Sequence, residues 1–83
     1  MMTVRILFFS LLEEIVGKKE CDFNLPDGKY TVKLILDQIY LEWPELKEWD
    51  TKMLVSLDLN YVERSTEVVE GQILALMPPL QGG

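Results

Sequence analysis

Hydrophobic positions along this chain follow two periods, and the switches between them mark its elements. Val4-Arg5-Ile6-Leu7-Phe8-Phe9 is apolar on both faces from Leu7 onward, which predicts a central strand or one whose second face meets a partner. Lys19 to Leu25 alternates cleanly: Cys21, Phe23 and Leu25 point one way, and Glu20, Asp22 and Asn24 the other, as in a strand with one solvated face. Val32, Ile35, Leu36, Ile39 and Tyr40 recur three and four residues apart. That stripe predicts the one long helix, lying across a sheet, with Lys33, Asp37 and Gln38 on its far side. Met53 to Leu59 alternates again, with Met53, Val55, Leu57 and Leu59 on one side and Ser56 and Asp58 on the other. Ile73-Leu74-Ala75-Leu76-Met77 is apolar throughout and reads as a last strand, central beside the first.

The residues between these runs set the boundaries. Ser10 with Glu13 three residues later is a capping-box pattern: the Ser10 hydroxyl accepts from the N–H of Glu13, whose carboxylate reaches back to the N–H of Ser10. It predicts a short helix from Leu11 to Val16, stopped by Gly17 in the left-handed conformation. Pro26-Asp27-Gly28 is a turn, and Thr31 is the N-cap of the long helix. Pro44 drives Trp43 out of helical geometry, so that helix ends near Glu42, and Pro44 opens a short helical turn through Trp49. Trp43 and Trp49 read as the lid of a small core rather than a ligand site. Asp58-Leu59-Asn60 holds a tight turn, Tyr61-Val62 a very short returning strand, Glu63 to Val68 is irregular, and Glu70-Gly71-Gln72 is a turn into the last strand. The fold class is α+β: a mixed sheet with one long helix packed across it and short extra helices. With first and last strands side by side, this is a β-grasp (ubiquitin-like) arrangement.

Size and charge narrow the chemistry. The 83 residues make one domain, and 48% hydrophobic content suffices for its core. With no histidine and a single cysteine there is no disulfide framework, no zinc site of the usual kind (metal: none), and no Ser-His-Asp or Cys-His arrangement. Cys21 reads as a small core residue. A net charge of −6 argues against nucleic acid and suits a basic surface on a protein partner. No apolar run approaches the ~18 residues of a membrane span, and Met1-Met2-Thr3 does not open a signal peptide, so no membrane is expected and the default location is the cytosol.

The closing stretch, Met77-Pro78-Pro79-Leu80-Gln81-Gly82-Gly83, changes the picture most. Two prolines cannot continue a sheet interior, because they lack the N–H the ladder needs, and they favour an extended path. Gly82 and Gly83 bring bare backbone to the end. The expectation is a β-grasp domain over 1–77 and an extended arm over 78–83, ending in a thin carboxylate suited to a partner's narrow channel. A frayed, glycine-rich terminus reads the same way from these seven residues alone.

Together these residues resemble the small subunit of molybdopterin synthase, a sulfur carrier of the ubiquitin-like β-grasp superfamily. The resemblance covers essentially the whole chain: Val4 to Phe9 followed by Leu11-Leu12-Glu13-Glu14-Ile15-Val16-Gly17, Thr31-Val32 opening the long helix, a turn with Gly71, and the apolar-Pro-Pro-x-x-Gly-Gly ending. The diproline separates this branch from the thiamine-pathway carrier, whereas ubiquitin-like modifiers share only the diglycine. Two positions depart from the family pattern: Asp58, where members commonly carry Asn, and Gln72, where they carry an acidic residue.

The resemblance implies that Gly83 is the reactive position. A ubiquitin-activating-like adenylyltransferase adenylates its carboxylate with ATP, and sulfur from a donor protein displaces AMP to leave a thiocarboxylate. The arm then inserts into the large subunit through Pro78, Pro79, Leu80, Gln81 and Gly82, and the sulfur passes to cyclic pyranopterin monophosphate in molybdenum cofactor biosynthesis. The chain binds no cofactor itself and is a non-catalytic, sulfur-donating subunit of a sulfurtransferase complex, a heterotetramer in the family. Outer-face residues drawn from Leu7, Phe9, Leu74, Leu76 and Met77 dock the large subunit or the activating enzyme, unless the long helix and the Trp43–Trp49 segment cover them all. The rival readings are a ubiquitin-like protein modifier, the thiamine-pathway carrier, and a plain β-grasp interaction module with an inert tail.

Overall fold

The computed structural model describes residues 1–79. In chain order these form β1 (Met2–Phe8), α1 (Leu11–Val16), β2 (Glu20–Leu25), β3 (Tyr30–Thr31), α2 (Val32–Glu42), a 3-10 helix (Pro44–Trp49), β4 (Leu54–Leu57), β5 (Asn60–Tyr61), β6 (Glu67–Val68) and β7 (Ile73–Met77). The main sheet runs β2-β1-β7-β4-β5. β1 and β7 lie side by side and parallel at its centre, while the flanking pairs are antiparallel. β7, apolar throughout, and β1, apolar on both faces from Leu7 onward, thus have sheet on both sides. This mixed sheet with α2 across it is the β-grasp arrangement.

Cross-strand neighbours share a face, and the register sorts the residues of the central strands. Ile6 stands opposite Leu74 and Phe8 opposite Leu76. On the other side of β7, Leu57 faces Leu74 and Val55 faces Leu76. All of these point toward α2, whose Val32, Ile35, Leu36, Ile39 and Tyr40 are the buried stripe read from the sequence. Leu74 and Leu76, expected in an outer docking patch, are therefore core residues, each 0% exposed. The error is one of parity: side chains alternate along a strand, and Leu7, Ala75 and Met77 fall on the opposite face.

The termini of the helices are closed locally. Gly17 sits at φ 86° and donates to the Glu13 carbonyl at 2.7 Å. Thr31 Oγ1 accepts from the Leu34 N–H at 3.3 Å. Trp43 ends α2, and Pro44 opens the 3-10 helix at a position where its missing N–H is not needed. Trp43 meets Phe8 edge-on at 5.3 Å between ring centres, and both tryptophans pack against the core. The capping box at Ser10 does not form. Ser10 has φ 54°, outside the extended geometry that an N-cap side chain uses, and its backbone carbonyl takes the Glu13 N–H at 3.0 Å instead.

Two further differences follow from long-range contacts. Residues 63–68, expected to be irregular, contribute β6, which pairs with β3. The carbonyls of Thr66 and Arg64 accept the first N–H groups of α2, from Val32 and Lys33, at 2.9 Å each. Leu59, expected on the inner side of the third long strand, has left it. The strand ends at Leu57, and Leu57 pairs with Asn60 across a two-residue loop in which Asp58 (φ 48°) and Leu59 (φ 74°) are both left-handed.

Arg64 also ties this segment to the end of the 3-10 helix. Its guanidinium donates to Asp50 Oδ1 at 2.9 Å, to the Asp50 carbonyl at 2.7 Å and to the Met53 carbonyl at 3.0 Å, and the Tyr40 hydroxyl donates to the same Asp50 oxygen. Burial pushes the Asp50 carboxyl up, but the hydrogen bonds from Tyr40 and Arg64 and the Arg64 charge outweigh it and hold it below the usual carboxylate range. Burial and the bond to Asp50 push the Tyr40 phenol well above its ordinary value. For a carboxyl depressed in the folded state, the unfolded chain binds the proton more tightly. Its stabilisation is therefore full above the unfolded value of about 4 and is lost as pH falls through the lowered folded one. Asp50→Asn is expected to cost about 1–2 kcal/mol at pH 7, a hydrogen bond to a charged group reduced by solvent screening at a partly exposed site, and to unfold with less acid dependence than the parent. Urea melts at pH 7 and pH 3 check this: the gap between the two proteins narrows at the lower pH.

Candidate functional site

β7 delivers the chain from the centre of the sheet to its margin. The strand ladder continues to Met77, opposite Leu54, and Phe9 donates to the Leu76 carbonyl at 3.1 Å. Pro78 and Pro79 then have no N–H to give, and the strand stops. They are half-buried against a recess lined by Ser10, Leu11, Leu54, Tyr61 and Met77. The base of the predicted arm is thus packed between the β1–α1 turn and the β4–β5 hairpin. Leu80, Gln81, Gly82 and Gly83 lie outside the described residues.

A second, largely apolar recess lies on the sheet face away from α2. Leu7, Phe9, Ser56, Leu59, Tyr61, Ile73, Ala75 and Met77 line it. Among the described residues no helix covers this face, and Phe9, Ile73 and Tyr61 stand 45%, 40% and 73% exposed. The two recesses share Tyr61 and Met77, so one apolar surface runs from the sheet to the base of the arm. Of the five residues expected to dock partners, the structure brings together Leu7, Phe9 and Met77 and turns Leu74 and Leu76 inward. Sequence reasoning missed Tyr61 and Ile73. Ile73 is readable once β7 is placed in register, whereas Tyr61, in a two-residue strand, carries no periodic pattern of its own.

Beyond this surface, on the β2 side of the same face, charge takes over. Arg5 lies between Asp22 (Nε to Oδ1, 3.2 Å) and Glu20 (Nη1 to Oε1, 3.3 Å), one cation against two carboxylates. At the opposite side, the two departures from the family pattern meet each other. Gln72 Nε2 donates to Asp58 Oδ2 at 3.0 Å, and Gln72 Oε1 takes the Val69 N–H at 2.8 Å. Asp58 Oδ1 accepts the Ile73 N–H at 2.9 Å. An amide at position 72 and a carboxylate at 58 make the donor–acceptor match that an amide at 58 and an acid at 72 would make in reverse. In this chain the two residues close the turn with matched donors and acceptors.

Cys21 carries no chemistry in this arrangement. It is partly buried against the core, and burial pushes its thiol up, with Lys18 opposing and Asp22 and Glu42 adding to the shift. Among the described residues no cluster of three or more His, Cys, Asp or Glu is placed to hold a metal ion, and no helix is long and apolar enough to cross a membrane. What the geometry offers is a rigid body with one apolar face and a chain that leaves that face's edge.

Comparison with known proteins extends this reading. A model of the ThiS family matches residues 6–83. The molybdopterin synthase sulfur carrier subunit of Arabidopsis thaliana is 30% identical over 80 residues, spanning 96% of this chain and 82% of that protein. Its counterpart in Chlamydomonas reinhardtii is 32% identical over 84 residues, spanning 99% of this chain and 100% of that one. Among solved structures, SAMP1 from Haloferax volcanii superposes with a TM-score of 0.84 at 25% identity, over 98% of this chain and 99% of that one. A chain in the complex of subunits 1 and 2 of the molybdopterin-converting factor from Helicobacter pylori does so at 0.69 and 24% identity, over 99% and 100%. With the family model running through the Gly-Gly ending and relatives matched over 82% and 100% of their length, this chain belongs to the ThiS family.

Proposed function

We propose that this chain is the sulfur-carrier small subunit of a molybdopterin synthase. The observation that carries the reading is the join at Met77-Pro78-Pro79: a central strand halts at the edge of an exposed apolar face, and the sequence continues as Leu-Gln-Gly-Gly. The names of the relatives and the diproline both favour this branch over the thiamine-pathway carrier. A carboxylate is a poor electrophile, so it needs activation. An adenylyltransferase joins the Gly83 carboxylate to AMP and releases pyrophosphate. Sulfur at the sulfide level, released from a donor protein, then attacks the acyl carbon; the C–S bond forms as the C–O bond to AMP breaks, which leaves a thiocarboxylate and free AMP. The large subunit receives the arm, and the sulfur moves to cyclic pyranopterin monophosphate. Residues 1–77 act as the body, 78–83 as the arm, and Leu7, Phe9, Met77, Tyr61 and Ile73 as the docking face. The chain brings no catalytic group or bound cofactor of its own, and it works in the cytosol.

Intact mass tests this. After incubation with ATP, the cognate activating enzyme and a sulfur donor, the chain is expected to gain the difference of one oxygen replaced by sulfur, mapped to Gly83. An unchanged mass, under conditions that convert a known carrier, would remove the proposal and leave a binding module. A protein modifier shares the fold and the activation step. It is distinguished by isopeptide-linked ladders on other proteins in place of transfer to a small molecule.

A further inference from the structure

The turn between β4 and β5 is built against its own residue preferences. A two-residue loop with both φ values positive favours Asn-Gly or Asp-Gly, because its second position has the geometry that glycine tolerates best. Here that position is Leu59, at φ 74° and 95% exposed. A leucine is disfavoured there by its backbone, and being exposed it gains nothing from core packing. The surroundings nevertheless hold the conformation. Leu57 pairs with Asn60 across the loop, the Asp58 N–H donates to the Ile73 carbonyl at 2.9 Å, and Asp58 Oδ1 takes the Ile73 N–H. Asn60 Nδ2 returns to the Asp58 carbonyl at 3.2 Å, and Gln72 braces the Asp58 carboxylate. An outlier held this firmly invites a functional explanation rather than a packing one.

We propose that Leu59 is a partner-selecting contact: the hairpin holds it in a left-handed conformation to project an apolar side chain from the rim of the outer-face recess into the protein that receives the arm. This rests on the carrier reading above. Leu59 lines the recess with Tyr61 and Ile73, and that recess runs on to the base of the arm, so a partner engaging the arm lies against this rim. A second copy of this chain is the poorer occupant, because it would bring together two bodies that each carry a net charge of −6. The socket that fits is apolar, on a protein whose margin is basic enough to meet the acidic β2 side of the face.

Asn is better suited than Leu to a left-handed position, so Leu59→Asn separates backbone from contact. Affinity for the cognate large subunit, measured by titration calorimetry beside thermal melts of the free carrier, is the test. Leu59→Asn is expected to melt no lower than the parent and to bind at least about ten-fold more weakly, as loss of a buried apolar anchor does, while Leu59→Met retains the parent's affinity. Equal binding by Leu59→Asn and the parent would overturn the proposal. So would sedimentation showing a parent dimer that Leu59→Asn abolishes with large-subunit binding unchanged. If the parent itself does not bind the large subunit, the carrier reading fails and takes this inference with it, an outcome visible before any variant is compared.

Discussion

Removing Gly83, or adding one residue after it, abolishes sulfur transfer and leaves the folded body unchanged. The argument is one of reach. A residue spans up to about 3.5 Å of chain, so either change displaces the terminal carbonyl by several times the ~1 Å that costs about a hundred-fold in a positioned reaction. Side-chain truncation elsewhere in the arm is milder, because it leaves the distance from Pro79 to the terminus intact. The body has no reason to respond: the core lies between β1, β4, β7 and α2, and β7 ends at Met77. The deletion variant is therefore expected to melt with the parent, to show at least about a hundred-fold less thiocarboxylate by intact mass, and to support no detectable molybdopterin formation. Retained transfer by this variant would remove the carrier assignment, whatever the docking face does.

Adjacent residues of β7 are expected to behave oppositely. Leu74 is enclosed between Ile6 on β1 and Leu57 on β4 and faces the buried stripe of α2. Leu74→Ala leaves a cavity that close-packed neighbours cannot collapse, at a cost of about 3 kcal/mol. For a domain of this size that lowers Tm by roughly 12–24 °C. Ile73 stands on the other face, at the recess. Ile73→Thr keeps a β-branched side chain on the strand and costs under about 1 kcal/mol, but it puts a hydroxyl on the docking surface and weakens large-subunit binding about ten-fold. Thermal melts and calorimetry of the two variants separate the effects. Similar melting losses at both positions would contradict the assignment of faces.

These opposite expectations show where local pattern stops informing. The stripe Val32, Ile35, Leu36, Ile39 and Tyr40, the Thr31 cap, the Gly17 stop and the Pro44 break were all legible, because each depends on residues within about one helical turn of one another. The central placement of β1 and β7 was legible from the apolar run that begins at Leu7 in the one and fills the other. The Pro-Pro-x-x-Gly-Gly ending was legible as a family motif, since a motif needs only residue types in order, and the family model runs through it. At β1 the outer placement of Leu7 and Phe9 was already expected from the sequence, but in β7 only tertiary structure decided which half is core. Period-two alternation is invisible when both faces are hydrophobic, and parity is set by the hydrogen-bond register with strands far away in sequence, which put Leu74 inside and Ile73 outside. The same holds for the Ser10 turn, where positive φ withdrew the side chain from a cap its sequence offered, and for β6, two residues long and ordered by its pairing with β3. It holds most clearly for the Asp58–Gln72 pair. Each residue alone is a departure, and only the antiparallel pairing of β4 with β7 brings the carboxylate to the amide that completes it.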